Sequence, residues 1–196
     1  MNTKILPSPN SFDSILPTPP PAQSGILVEV SDTQSHMHVD DLFLPRVVSA
    51  TLLANGVTSA AISIALIDDQ GIHELNRRHL GHDWPTDVIT FALSEADDEI
   101  LVGELIVSAE MAATTAQKAF VSPSDELALY VVHGLLHLCG YDDSTADDRH
   151  EMRRREGEVL TRLGLSNTFP AVLVDGPAFE GQIHSDGERE RSRWTV

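Results

Sequence analysis

The sequence predicts an α+β domain, a small mixed β-sheet packed with helices. A metal site is expected on a central buried helix and on the turn that follows it. Three observations carry this. Apolar runs of strand length, such as Ile62, Ile64 and Leu66 in alternation, are interspersed with longer segments of helical period. The two kinds do not alternate strictly, which disfavours a repeated strand–helix–strand architecture. One helical run, Leu127 to Leu138, is almost wholly apolar and so reads as buried on every side, yet it contains His133 and His137.

In chain order, residues 1–25 hold Pro7, Pro9, Pro17, Pro19, Pro20 and Pro21 among Ser, Thr and Asn, a composition expected to stay disordered. Ile26–Val30 is expected as a first strand. Asp40 or Asp41 should cap a helix ending at Asn55-Gly56. Ser59–Ile67 alternates as a strand. Asp68 or Asp69 should open a helix reaching about His79. Val88–Leu93 and Ile100–Ser108, separated by the acidic segment 95–99, read as a hairpin or as two neighbouring strands. Glu110–Phe120 is alanine-rich and helical. Ser124, with Asp125 and Glu126 at its dipole-favoured N-terminal turn, should start the apolar helix. Thr145–Leu163 makes a last, strongly charged helix. From residue 167 periodicity is lost, and the chain runs into Gly187-Glu-Arg-Glu-Arg-Ser-Arg. The expected division is a disordered leader over 1–25, a folded domain over 26–166 and a disordered tail over 167–196.

The formal net charge is −17, and residues 26–165 hold 9 Lys/Arg against 24 Asp/Glu, a net of −15. This disfavours non-specific nucleic-acid binding, which depends on Lys and Arg neutralising phosphates. No stretch approaches the ~18 consecutive apolar residues of a membrane helix, so no membrane association is expected. The first residues lack a signal peptide's basic region and apolar core, so the expected location is the cytoplasm. Cys139 is the single cysteine, and no intrachain disulfide can form. It follows His137 by about 200° of helix rotation and should point away from it as a small buried side chain.

The histidine pair lies in His133-Gly-Leu-Leu-His137-Leu-Cys-Gly140-Tyr-Asp-Asp143. Residues four apart sit about 40° apart around a helix, so both imidazoles share one face. Gly140 can end the helix in a left-handed C-cap. Asp142 or Asp143 can then return toward the rings. Three protein ligands and one open position make a catalytic zinc site, whereas a structural one is closed. An isolated pair of this spacing is more often two unrelated histidines. Here burial argues otherwise, since a buried polar group without a partner costs ~1–3 kcal/mol. The spacing is that of the metalloprotease pattern His-Glu-x-x-His, but Gly134 stands where that pattern has its general base, which argues against a peptidase.

Three ordered segments together resemble the YbeY family of metal-dependent endoribonucleases. They are Leu75-Asn76 through Gly81-His-Asp83-x-Pro85-Thr86-Asp87-Val88-Ile-Thr-Phe91, then Gly103-Glu104-Leu-Ile-Val-Ser, then His133-Gly-x-Leu-His137-Leu-x-Gly-Tyr-Asp142. The resemblance covers roughly 26–165. It implies an α+β fold and one Zn²⁺ per chain held by His133, His137 and residue 143. The family usually has histidine at that third place; this chain has Asp143, a carboxylate that binds zinc at a similar distance and admits other divalent metals more evenly. Asp142 is a candidate catalytic group, orienting a ligating imidazole. Many members carry an arginine where this chain has Leu80. Arg77 or Arg78 is the substitute to consider, although an ordinary solvated helix face explains that pair as well. Arg153, Arg154 and Arg155 are expected to pair with Glu151, Glu156 and Glu158 on their own helix. Asp83, Asp87 and Asp142 are the candidates for a general base, and Pro85-Thr86-Asp87 also reads simply as a turn.

The implied function is a single-strand-specific, metal-dependent endoribonuclease. It would mature the 3′ end of small-subunit ribosomal RNA and take part in ribosome quality control. The implied partners are single-stranded RNA within ribosomal particles and a ribosomal protein. The competing expectation is a metal-stabilised ribosome-assembly adaptor with little catalysis of its own, which the acidic charge and Leu80 favour.

Overall fold

A mixed sheet supports the helix that bears the histidines. The computed structural model describes residues 25–79, 83–95, 97–166 and 194–195. The first strand, β1 (Ile26–Asp32), runs parallel to β2 (Ala60–Ile67), and β2 runs parallel to β4 (Leu101–Ser108). The short β3 (Val88–Ala92) pairs antiparallel with β4, and the two-residue β5 (Trp194–Thr195) pairs antiparallel with β3. The spatial order is β1-β2-β4-β3-β5. The α+β expectation holds, and the two runs around the acidic segment 95–99 are a neighbouring antiparallel pair. Apart from β5, the expected leader and tail lie outside the described residues.

The helices are α1 (Phe43–Ala54), α2 (Asp69–His79), α3 (Ala109–Ala119), α4 (Pro123–Leu138) and α5 (Ala146–Leu163). Among the described residues no helix is long and apolar enough to cross a membrane. Two starts differ from expectation. Asp40 does not cap α1; its carboxylate accepts from the Leu42 amide and its carbonyl from Phe43, so it builds the preceding turn. The cap of α4 is Ser122 and not Ser124, because Pro123 fills the first helical position, where no amide hydrogen is needed. Between Asp68 and Asp69, Asp68 closes the first turn of α2 by accepting from the Gly71 amide. Thr145 caps α5 in a reciprocal box with Asp148.

The sheet buries both faces unequally. Ile62, Ile64 and Leu66 of β2, with Leu105 and Val107 of β4, face the main core built with α1, α4 and α5. Ile89, Phe91 and Ile106 face the other way and meet Ile72 of α2. Helix α4 is the centre: it packs on α1, α3, α5, β3 and β4, and the whole stretch Glu126–Val132 is buried. Each fully buried Leu or Val there contributes roughly 1.5–3 kcal/mol. Asn76, wholly buried in α2, donates to the Trp84 carbonyl at 2.7 Å and so ties the segment leading to Asp87 against the fold.

Gly134 is a point of close approach between α4 and the sheet. A Cβ there would lie 2.8 Å from Thr90 Oγ1 and 2.9 Å from Leu105 Cδ2. The position next to His133 thus faces the sheet and not the site. A glutamate at 134 has neither room nor the right direction, which gives the missing protease base its physical reason. Gly134→Ala gains about 1 kcal/mol of helix propensity but overpacks at a typical ~1–3 kcal/mol. The expected net is a melting midpoint lowered by about 2–4 °C in thermal unfolding followed by circular dichroism, with a larger fall for Gly134→Val. An unchanged midpoint in both variants would mean that α4 sits further from β3 and β4 than described.

Candidate metal centre

The end of α4 sets the geometry. The Gly140 amide bonds to the His137 carbonyl and the Tyr141 amide to Leu136, with Gly140 at φ +90, a conformation that disfavours a side chain. This closed helix end turns the chain back. Asp142, exposed, accepts from the Asp143 and Ser144 amides and from the Ser144 hydroxyl. Those bonds, the Ser144 hydroxyl first, hold its carboxyl below the ordinary value. Arg149 adds two bonds, to the carbonyls of Asp143 and Ser144. Asp142 therefore orders the turn that presents Asp143.

The imidazoles of His133 and His137 stand edge to face, centroids 4.6 Å apart. His133 Nδ1 bonds to Glu156 Oε1 at 2.7 Å, and His137 Nδ1 bonds to the Tyr141 carbonyl at 3.0 Å. A carbonyl only accepts, and a carboxylate does so when ionised; on that assignment each Nδ1 carries the proton and each Nε2 a lone pair. The two Nε2 atoms are 3.1 Å apart, and Asp143 Oδ2 is 4.0 Å from His133 Nε2. One ligand atom from each of the three residues falls within 4.8 Å of the others. Two half-buried lone pairs facing each other repel unless a cation or proton lies between them. The donor set therefore fits a divalent metal.

Electrostatics separate the two rings. Burial pushes the His133 imidazole down, but the Glu156 hydrogen bond and charge, with Asp87 and Asp143, leave it above its ordinary value. His137 lies below its ordinary value, through burial and the neighbouring His133 charge. Cys139 packs against the main core, and burial pushes its thiol up to about 11.

Glu156 is the site residue that sequence reasoning misses. It is 2% exposed and reaches His133 from α5. A signal was present: Met152, Glu156, Val159 and Leu160 make one apolar stripe, with Glu156 inside it. The expected helix-surface pairing holds for its neighbours only. Arg154 pairs with Glu151 and Glu158, and Arg155 bonds Glu158, the Tyr141 hydroxyl and Asn55.

A cavity of about 530 Å³ opens beside His133 and Asp143, between α3, α4 and α5. Asp87 lines it, held by bonds from the Thr86 hydroxyl and the Val88 amide. Asp83 is exposed and pairs with His73 at 3.0 Å. The arginines that line the cavity are Arg149 and Arg153. Arg77 and Arg78 are exposed on α2, where Arg78 pairs with Glu74, and neither lines the cavity. Leu80 lies outside the described residues.

The chain is similar to known proteins over most of its described residues. A family model described as endoribonuclease YbeY matches residues 29–164. An endoribonuclease YbeY of Pelotomaculum thermopropionicum is 38% identical over 149 residues, covering 71% of this chain and 98% of that protein. One from Carboxydothermus hydrogenoformans is 36% identical over 142 residues, covering 71% and 99%. Among solved structures, a Thermotoga maritima protein determined in solution superposes with a TM-score of 0.51 at 22% identity, covering 76% of this chain and all of that one, and shares the fold.

If Glu156 orients His133 for a metal, Glu156→Gln should weaken binding about 10–100-fold, read by competition with a chromophoric chelator. Asp143→His should match or exceed the parent affinity. Loss of binding in Asp143→His would place residue 143 away from the ion, and an unaltered Glu156→Gln would remove Glu156 from the centre.

Proposed function

Because the chain belongs to the endoribonuclease YbeY family, we propose that it is a metal-dependent endoribonuclease of single-stranded RNA. The reading extends to maturation of the small-subunit ribosomal RNA 3′ end and ribosome quality control, in the cytoplasm, with a ribosomal protein as partner. The observation that carries it is the convergence of His133 Nε2, His137 Nε2 and the Asp143 carboxylate beside an open cavity.

His133, His137 and Asp143 would hold one Zn²⁺, or another divalent ion that tolerates the carboxylate. Held there, such an ion would supply acidification of bound water, toward a pKa of ~7, and polarisation of a phosphoryl oxygen. The chain's own residues supply the rest. Glu156 and the Tyr141 carbonyl fix both rings with Nε2 inward. Arg149 and Arg153, exposed along the cavity, are the cations positioned to meet a phosphate. Asp87 lies within electrostatic reach of His133 and Tyr130 and is the carboxylate best placed to accept a proton from the attacking hydroxyl. RNA carries its own 2′-hydroxyl nucleophile, so little further machinery is required.

With a net of −15 over residues 26–165, attraction for RNA must be local. Purified protein should cut a single-stranded oligoribonucleotide, chelation should stop it, and His137→Ala should abolish it. Arg153→Ala should slow cleavage about tenfold, the scale of one charged hydrogen bond. The log–log salt slope of binding should be no steeper than about −3. Metal-dependent stability with no cleavage above background would favour the assembly-adaptor reading instead. A slope near −6 that ignores chelation would move the RNA surface away from the histidines.

A further inference from the structure

The cavity beside the histidines has a second end. Glu126, Leu129, Tyr130 and His133 line it in order along α4, and the helix rises ~10 Å between the first and the last of them. His133 and Asp143 stand toward one end. Toward the other is the turn between α3 and α4, where Ala119 lines the wall. Phe120 follows Ala119 directly and is unusual in two respects. It is 96% exposed, more than any other large apolar side chain among the described residues. It also ends α3 in the left-handed region, at φ 58 and ψ 39, and among the described residues no other non-glycine has a positive φ. Its amide and that of Val121 both bond to the Ala116 carbonyl, a helix end whose left-handed position glycine ordinarily fills. Such ends often gain an apolar contact back onto the helix, but a ring this exposed makes little of one. Neither the backbone nor the core accounts for a phenyl group here, and an outlier of this kind points to a role outside the fold.

The ring offers a flat apolar face at the rim of a cavity that also gathers cations. Of the 9 Lys/Arg in residues 26–165, Arg149 and Arg153 line the cavity, and Lys118, exposed, precedes Phe120 by two residues. A partner that carries flat apolar faces and anions together is a single-stranded nucleic acid. Its unpaired bases stack on aromatic side chains while its phosphates meet the cations. A docked protein surface would call for a contiguous apolar patch. Beside Phe120 in sequence stand Lys118, Ala119, a half-buried Val121 and Ser122, which make no such patch. We propose that Phe120 is a stacking platform for an unpaired base of single-stranded RNA. It holds a nucleotide neighbouring the one whose phosphate reaches His133, His137 and Asp143. Every base has a π-face, so the platform orders a strand without reading its sequence. A duplex keeps its base faces inside its own stack, so the ring favours the unpaired strand. The proposal rests on the endoribonuclease reading for its substrate class, but its test does not require cleavage.

The test is fluorescence anisotropy of the full-length, metal-loaded protein with a labelled single-stranded 2′-O-methyl oligonucleotide, which lacks the hydroxyl nucleophile and so is not consumed. Phe120→Leu keeps an apolar side chain but removes the π-face, and should weaken binding about tenfold, the scale of one stacked base. Phe120→Trp should bind at least as tightly as the parent. Phe120→Gly should lose as much affinity as Phe120→Leu with a melting midpoint no lower than the parent's, because glycine suits the left-handed backbone. A ring with a structural task would instead lower that midpoint, which would overturn the proposal. A duplex of the same sequence should bind the parent and Phe120→Leu alike. Unchanged single-strand affinity in Phe120→Leu overturns the proposal and leaves the ring as a contact for a protein partner. So does an equal loss for the duplex, or a parent that does not bind the strand at millimolar concentration. Cleavage of unmodified RNA with the same KM in the parent and Phe120→Leu would remove the platform and leave the nuclease. Stacking-dependent binding without cleavage would do the reverse.

Discussion

The site depends on the burial of α4. A helix packed on three other helices and the sheet has little free surface for two imidazoles, and each must find its polar partner inside the fold. His133 finds Glu156 and His137 finds the Tyr141 carbonyl. Both partners take the Nδ1 side, so what remains to each ring is Nε2, and the helical spacing turns the two toward one point. The convergence of the two Nε2 atoms is in this sense a product of the packing: once the core has satisfied one nitrogen of each ring, the others have one direction left. The Gly140 turn then needs to bring a single further donor, and Asp142 serves it by ordering the backbone at Asp143.

Much of this is legible in the sequence because it is local. The alternation in β2, the unbroken apolar run of α4, the glycine stop and the Thr145 cap are statements about neighbours a few residues apart. The histidine pair and Asp143 belong to the same class. Glu156 does not. In the sequence it stands in a run of arginines and glutamates whose ordinary fate is surface pairing, and that is where Glu151 and Glu158 go. Only its register with Met152 and Val159 marks it as inward. The caps at Asp40 and Ser124 mislead for a smaller reason: several adjacent residues can cap, and turn geometry or a proline decides among them.

The cations tell the same story. Arg77 and Arg78 attract notice because they precede Leu80, where the resembling family often has an arginine. Sequence proximity to a motif is a poor guide once the chain has crossed from α2 to β3. Arg149 and Arg153 are distant in sequence from that motif yet share the cavity with His133 and Asp143, because α5 packs along α4. Gly134 shows the converse. It is adjacent to His133 in sequence and has no access to the site, since its side of the helix is pressed on Thr90 and Leu105.

The compactness of the ligand set has a thermodynamic side. His133, His137 and Asp143 all come from one helix end and its turn, so closing them around an ion requires little loop ordering even in a chain whose sheet has not formed. An unfolded chain would therefore retain some grip on a metal held by these residues, and any such binding would subtract from the stabilisation that the ion gave the native state. Glu156 is the exception, arriving from α5 only when α4 and α5 are packed together. On the proposed ligand set, the difference in metal affinity between folded and unfolded chain would reside largely in Glu156, which bonds His133 and is not one of the three ligands. Through it the metal distinguishes a finished domain from a local turn.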